Sequence, residues 1–377
     1  MFTPSRLTLA RKSRGLSLVR LSAAAGLSTR ILSDYENGHK EPSPETLQRL
    51  AAVLEFPSSF FSASDLEELP AEAVSFRAAS KLTARTRDIA LNLGEIAVAL
   101  YQWVGARFRL PAPDIPTLTT LSTLDSPPPP TQANRVERNP ELAAEIVRAR
   151  WGLGNASVPN MVRLLEAHGV RICSLPHACI DVDAFSLWLN GIPFIYLNTS
   201  KTAERGRFDS AHELGHLVLH SEKATLRNPD AEREADRFAA AFLMPRDSVI
   251  ARIPPNPSIQ YVLKAKKLWK VAAIALAHRL YEVGLSSEWH YRMTCVELGK
   301  RGYRSAEPSG IARETSQILD KVVRALRDDG ITPALVAHDL HITTNDLNDL
   351  VFGLVMTAVD GDGNSGAASR PALRIVQ

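Results

Sequence analysis

The chain has 377 residues, of which 45% are hydrophobic and 23% charged, and a net charge of +3. This is the balance of a globular protein of two or three domains. No run of about 18 apolar residues occurs, which excludes a membrane-spanning helix, and three cysteines are too few for a disulfide framework. With no signal-like apolar stretch near Met1, the expected setting is reducing and cytoplasmic.

The near-neutral total hides a local excess. Residues 1–30 carry Arg6, Arg11, Lys12, Arg14, Arg20 and Arg30 and no acid, as expected where a segment meets phosphate. Leu7, Leu9 and Ala10 predict a first helix ending near Gly15. Ser17 is a good N-cap for a second helix with Leu18, Leu21 and Ala24 on it. Gly26 supplies a tight turn, and Ser28 caps a third helix that ends at Asn37-Gly38. Ser43 or Pro44 starts a fourth. Two short helices joined by a glycine turn, the second exposing small and basic residues, form a helix-turn-helix pattern. Ser28, Thr29, Arg30 and Ser33 are the candidates for base edges. Arg11, Lys12 and Lys40 are the candidates for phosphates.

Residues 63–110 read as a helical connector running to Trp103. Residues 111–130 hold seven prolines and predict an extended linker, with Pro127 to Pro130 in polyproline II. Residues 131–303 mix helices with strands. Phe185–Leu189 and Ile192–Leu197 flank Asn190-Gly191, a hairpin signal, and Phe185-Ser186-Leu187 is a candidate edge for pairing an extended peptide. Residues 304–358 read as a helical C-terminal domain and 359–377 as a disordered tail. Cys173, His177 and Cys179 have the wrong spacing for zinc and read as buried cysteines. The basic stretch Lys264, Lys266, Lys267 and Lys270 fits a second helix-turn-helix-like element or a solvated helix face equally well. Thr332–Leu347 also has a helix-turn-helix pattern, with more acids than bases.

His212-Glu213-Leu214-Gly215-His216 matches HExxH. Residues i and i+4 share a helix face, so both imidazoles can reach one ion, and Glu213 lies beside them to take a proton from water. Zinc needs a third protein ligand. The helical stretch from Ala231 to Pro245 offers Glu232, on one stripe with Ala235, Asp236 and Ala239. Glu234, on another face, is the second choice. Asp236 falls one turn on, placed to hydrogen-bond a ligand histidine. His220 lies too far along the axis to join the same ion easily and reads as structural. Tyr261, His278, Tyr281 and Tyr291 are candidates to stabilise an oxyanion.

Two resemblances follow from these motifs. Residues 6–56, from ARKSRGLSLVRLSAAAGL through STRILSDYENG to LQRLAAVLEF, resemble the phage-repressor-like (Xre/Cro) DNA-binding domain, in which Glu36 fits a structural glutamate. FSLWLNGIPFIYLN, RFDSAHELGHLVLH and EREADRFAAAFLMP, in that order, resemble the ImmA/IrrE zinc metallopeptidases over residues 183–245, with weaker likeness from about 140 to 305, which implies a metallopeptidase domain at residues 131–303. One departure is Asp209-Ser210, where a threonine and an apolar residue are expected. The resemblances imply a mainly α protein with a small α+β zincin-like domain and an N-terminal all-α helix-turn-helix domain at residues 1–62. They imply Zn2+ on His212, His216 and Glu232, with Glu213 as the catalytic base. The implied partners are a double-stranded DNA operator and a protein substrate, a repressor above all, with no membrane; a homodimer is also expected. Two alternatives stand beside an active peptidase: a zincin-like domain that senses or binds a partner without cleaving, and an Xre domain that docks a repressor rather than DNA.

Overall fold

The computed structural model describes residues 1–70, 83–117, 139–175, 179–221, 229–303, 307–351 and 355, together with the backbone of Ser75–Phe76. His177, most of the proline-rich stretch and the C-terminal tail lie outside the described residues.

Helix α1 (Pro4–Ser13) begins with proline at a position that needs no amide donor. Side-chain caps then set the next starts. Ser17 accepts from the Arg20 amide, Ser28 from Ile31, Ser43 from Thr46 and Thr83 from Thr86. They begin α2 (Leu18–Ala25), α3 (Thr29–Glu36), α4 (Pro44–Leu54) and α5 (Ala84–Gly105). Leu7, Leu21, Leu32, Leu50 and Leu54 are fully buried between the first four helices. The expected four-helix N-terminal unit is therefore present, closed by a 3-10 turn at Ser58–Ser62 whose Phe60 and Phe61 are also buried.

Four strands form one sheet: β1 (Ser75–Phe76), β2 (Arg171–Ser174), β3 (Ala184–Leu189) and β4 (Ile192–Leu197), in the order β1-β3-β4-β2. β3 and β4 are the expected hairpin, with Leu189 opposite Ile192 and positive φ at Asn190 and Gly191. Alternation along the strands decides what covers each face. Ser186 and Trp188 face one helix, α8 (Ala203–Leu219): Trp188 donates its indole N–H to the Leu217 carbonyl at 3.1 Å. Phe185 and Tyr196 face the other way and stack at 4.3 Å. There the Tyr196 hydroxyl donates to the Gly94 carbonyl of α5, and Tyr101 of α5 donates to the Ile172 carbonyl. The sheet thus lies between α5 and α8.

Three expectations need correction or refinement. The edge at Phe185-Ser186-Leu187 is not free along its length, because Phe76 and Ser75 pair antiparallel with Phe185 and Ser186; the chain satisfies that edge with its own backbone. The stretch expected as a connector therefore supplies an outer strand and the helix behind the sheet. Residues 111–117 form neither helix nor strand, and they are pinned: the Asp114 amide donates to the His168 carbonyl, its carboxylate accepts from Arg150, and Arg171 donates to the Pro111 carbonyl.

The middle region adds α6 (Pro140–Arg150), α7 (Met161–Ala167), α9 (Pro229–Leu243), α10 (Arg246–Ile250), α11 (Ile259–Trp269), α12 (Ala273–Glu282) and α13 (Glu288–Lys300). The C-terminal region adds α14 (Gln317–Asp328), α15 (Pro333–Asp339) and α16 (Thr344–Val351). Two carboxylates join these regions by reciprocal capping. Glu314 accepts from the Met161 and Val162 amides at the start of α7, while Glu166 of α7 accepts from the Gln317 and Ile318 amides at the start of α14. Glu314 also pairs with Arg207, whose side chain is fully buried in α8. The helix-turn-helix pattern at Thr332–Leu347 becomes α15 and α16, but α16 is a packing element: Leu347, Leu350 and Val351 are buried and Asp346 pairs with Arg14 at 2.7 Å.

Gly169 shows how tight the pinned segment is. Its φ is +84°, and a Cβ there would lie 2.4 Å from the Ala112 carbonyl oxygen. Gly169→Ala is therefore expected to destabilise the protein by about 2–4 kcal/mol, read as a lower urea midpoint. An unchanged midpoint would mean that residues 111–117 do not press on this turn in solution.

Candidate metal centre and DNA-binding face

The two histidines come from the middle of α8, where the i, i+4 spacing puts them on the face towards α9. What lets α9 come close is the lack of side chains. A Cβ on Gly215 would lie 3.1 Å from the Phe238 ring and 3.2 Å from the Ala235 Cα. Ala235 and Ala239 are fully buried along the same stripe. This approach brings Glu232, at the start of α9, to the histidines. His212 Nε2 and His216 Nε2 are 3.1 Å apart, and Glu232 reaches them at 3.6 and 3.3 Å respectively.

These separations fit a metal ion. Donors about 2.0–2.1 Å from a tetrahedral zinc lie about 3.3 Å from one another. Among the described residues, His212, His216 and Glu232 form the cluster of three donors, all within 4.8 Å. Glu234 is not part of it; its carboxylate lies 2.9 Å from His220 Nε2. Asp236 lies 2.8 Å from His212 Nδ1, on the side of the ring away from the cluster.

The electrostatics suit ligand chemistry. Burial pushes the His216 imidazole down to about 4, against the pull of Glu232, so the ring is neutral at pH 7 with a lone pair to offer. Burial opposes the charge on Glu232, but hydrogen bonds with His212 and His216 outweigh it and hold the carboxyl well below its usual range.

Glu213 is fully buried. Its Oε2 accepts a 2.6 Å hydrogen bond from the Ser186 hydroxyl, and its Oε1 is buried with no partner. Burial raises its carboxyl to about 8, with His212 and Ser186 pulling the other way. A cation on the neighbouring donors favours the charged form further. Sequence reasoning missed this role of Ser186. The signal was a hydroxyl at an inward position of an otherwise apolar strand, and its meaning needs the sheet-to-helix register.

Other expectations sort cleanly. His278 and Tyr291 line a cavity of about 770 Å³ that also includes Asp236 and Arg237. Tyr261 instead donates to the Arg252 carbonyl, and Tyr281 stacks on Tyr291. Cys173 and Cys179 are buried free thiols, as expected. The basic stretch on α11 is not wholly solvated: Lys264 and Lys267 are exposed, but Lys266 is buried and pairs with Glu204 and Glu307, and Lys270 donates to the Pro159 carbonyl. Ser210, at the departure from the peptidase motif, donates back to the Gly206 carbonyl and is accommodated within α8.

On the N-terminal unit, Ser28, Thr29 and Arg30 are exposed at the start of α3. Ser28 also caps the helix, and Ser33 is half-buried with its hydroxyl near the Asn37 amide nitrogen. Lys40 is exposed and lies 3.1 Å from Asp34, and Lys12 is half-buried. Arg11 is a correction. Its guanidinium is held by both Glu36 oxygens, at 2.6 and 2.8 Å, and by the Leu16 carbonyl. With its donors engaged and its side chain only 11% exposed, it ties α1 to α3 and is not free for phosphate.

Fold and donor set together define a helix-turn-helix protein that carries a metallopeptidase-like domain. The comparisons agree: residues 7–61 match the helix-turn-helix family, and residues 165–281 match the peptidase family described as the IrrE N-terminal-like domain. The chain is thus a fusion of an Xre-type helix-turn-helix with an ImmA/IrrE-type domain. No curated protein matches it. No helix among the described residues is long and apolar enough to cross a membrane.

The different settings of Arg11 and Arg30 predict opposite phenotypes. Arg11→Met is expected to lower stability by about 2 kcal/mol, because it strips a largely buried Glu36 of its charged partner. Arg30→Ala is expected to leave stability unchanged and to weaken binding to a selected duplex more than to random duplex. Urea melts and mobility shifts on the full chain check both; equal losses on the two duplexes would remove Arg30 from base readout.

Proposed function

We propose that the protein is a DNA-binding transcriptional regulator whose second domain is a zinc-dependent endopeptidase acting on a regulatory protein. The observation that carries this reading is the donor cluster of His212, His216 and Glu232 beside a buried carboxylate with one unpartnered oxygen. The substrate expected from the family resemblance is another helix-turn-helix repressor. DNA recognition is assigned to the start of α3, with Ser28, Thr29 and Arg30 towards base edges.

His212, His216 and Glu232 would hold the zinc, with Asp236 accepting from His212 Nδ1. Bound zinc supplies Lewis acidity towards water and the scissile carbonyl. Glu213 is the proton carrier: it takes a proton from the attacking water and returns it to the leaving amine. Ser186, donating to Oε2, holds the carboxylate so that Oε1 is the oxygen left for that exchange.

One observation favours the non-cleaving reading. Glu213 and His212 have no exposed surface, and the β3 edge beside them is paired with β1. A peptide that pairs with Ser186 has to displace Ser75–Phe76 first. A regulator that only binds a partner meets no such requirement.

Glu213→Gln separates the two readings. The peptidase reading predicts full zinc content, an unchanged fold, and a loss of about 100-fold or more in cleavage of a co-expressed repressor. Cleavage undiminished in Glu213→Gln rules out peptidase chemistry at this site. Zinc binding without cleavage by the native chain leaves the regulator that does not cleave.

A further inference from the structure

His220 sits one turn beyond His216 on α8, and the donor cluster does not include it. Its surroundings give it two partners. His216 Nδ1 lies 3.1 Å from His220 Nδ1, and His220 Nε2 lies 2.9 Å from Glu234 Oε2. The His220 side chain is only 9% exposed. Glu234, on α9, is about one-third exposed. The contacts run in a line from the cluster outwards: His216, His220, Glu234.

Proton bookkeeping gives this line one consistent form. A metal on His216 Nε2 needs that nitrogen bare, so the ring carries its proton on Nδ1. That N–H points at His220 Nδ1, which must then accept. An imidazole accepting through Nδ1 carries its own proton on Nε2. That second N–H meets the Glu234 carboxylate, which only accepts. Every donor faces an acceptor, and the arrangement repeats on the other ligand, where His212 Nδ1 donates to Asp236 at 2.8 Å.

We propose that His220 and Glu234 are positioning residues that fix the tautomer and ring plane of the metal ligand His216. The inference rests on the zinc reading above and not on the peptidase reading. It explains why Glu234, two residues from Glu232, is a carboxylate although it does not reach the cluster. Both ligand histidines are then braced from α9, His212 directly by Asp236 and His216 through His220 by Glu234. The small-residue crossing that delivers Glu232 delivers both braces as well.

The test is zinc affinity of the full chain, measured by competition with a chromophoric chelator, together with the visible spectrum of the cobalt-substituted protein. His220→Phe keeps the bulk and removes the acceptor. It is expected to weaken zinc binding about 10-fold or more and to shift the cobalt bands, while the metal-free protein still unfolds in one cooperative transition. His220→Asn restores an acceptor at the Nδ1 position and is expected to recover most of the affinity and the native spectrum. Glu234→Leu, which leaves the second N–H without its acceptor, is expected to fall between them. His220→Phe binding zinc as tightly as native, with the native cobalt spectrum, overturns the proposal; so does equal loss in His220→Phe and His220→Asn, which would mark a packing role. If the native chain takes up no zinc, the metal reading fails and this inference with it. If zinc binds but nothing is cleaved, the positioning role stands and only the peptidase reading falls.

Discussion

The site depends on one contact: the backbone of α8 at Gly215 lying against the backbone of α9 at Ala235. A single methyl on Gly215 would come within 3.2 Å of the Ala235 Cα, so almost any side chain there separates the helices. Separation matters because Glu232 is on the far helix, while both histidines are on the near one. The tetrahedral fit of the three donors leaves little room for a shift. Gly215 thus sits inside the HExxH stretch for a packing reason, distinct from the chemistry of its neighbours.

Burial then gives the donors their character. Around His216 it keeps the imidazole neutral, and around Glu213 it raises the carboxyl to about 8. Such an arrangement is costly without partners, since buried polar groups lose their hydration. Ser186, Asp236 and His220 supply those partners from the sheet, α9 and the end of α8. The DNA-facing unit is built on the opposite logic. Its candidate base-contacting residues are exposed, and its structural charges are paired inwards: Arg11 on Glu36, and Arg14 on Asp346 of the C-terminal region. α5 links the two parts, with Arg85 donating to the Gly15 carbonyl near α1 and Gly94 accepting from Tyr196 of the sheet.

Local features were legible in the sequence because their cause is local. The helix caps at Ser17, Ser28 and Ser43, the Asn190-Gly191 turn, and the shared face of His212 and His216 each follow from neighbours within a few residues. Glu232 was legible as a candidate because small residues share its stripe. Distant partners were not legible. Arg11 looked like a phosphate contact because the sequence does not reveal that Glu36, 25 residues on, closes over it. β1 has two residues and no period to detect. The linker's prolines marked 111–117 as a stretch without helix or strand, but the anchoring of Asp114 by Arg150 and His168 is a tertiary fact. The role of Ser186 waited on knowing which face of β3 meets α8.

The central claim is that α9 completes a metal site begun on α8, through Glu232 in particular. Metal content of the purified full chain, native beside Glu232→Ala and Glu234→Ala, tests it most directly. The account predicts one zinc per native chain, retention in Glu234→Ala at saturating zinc, and loss in Glu232→Ala with the fold intact. A native chain without metal, or a Glu232→Ala chain that holds zinc as tightly as native, would contradict it.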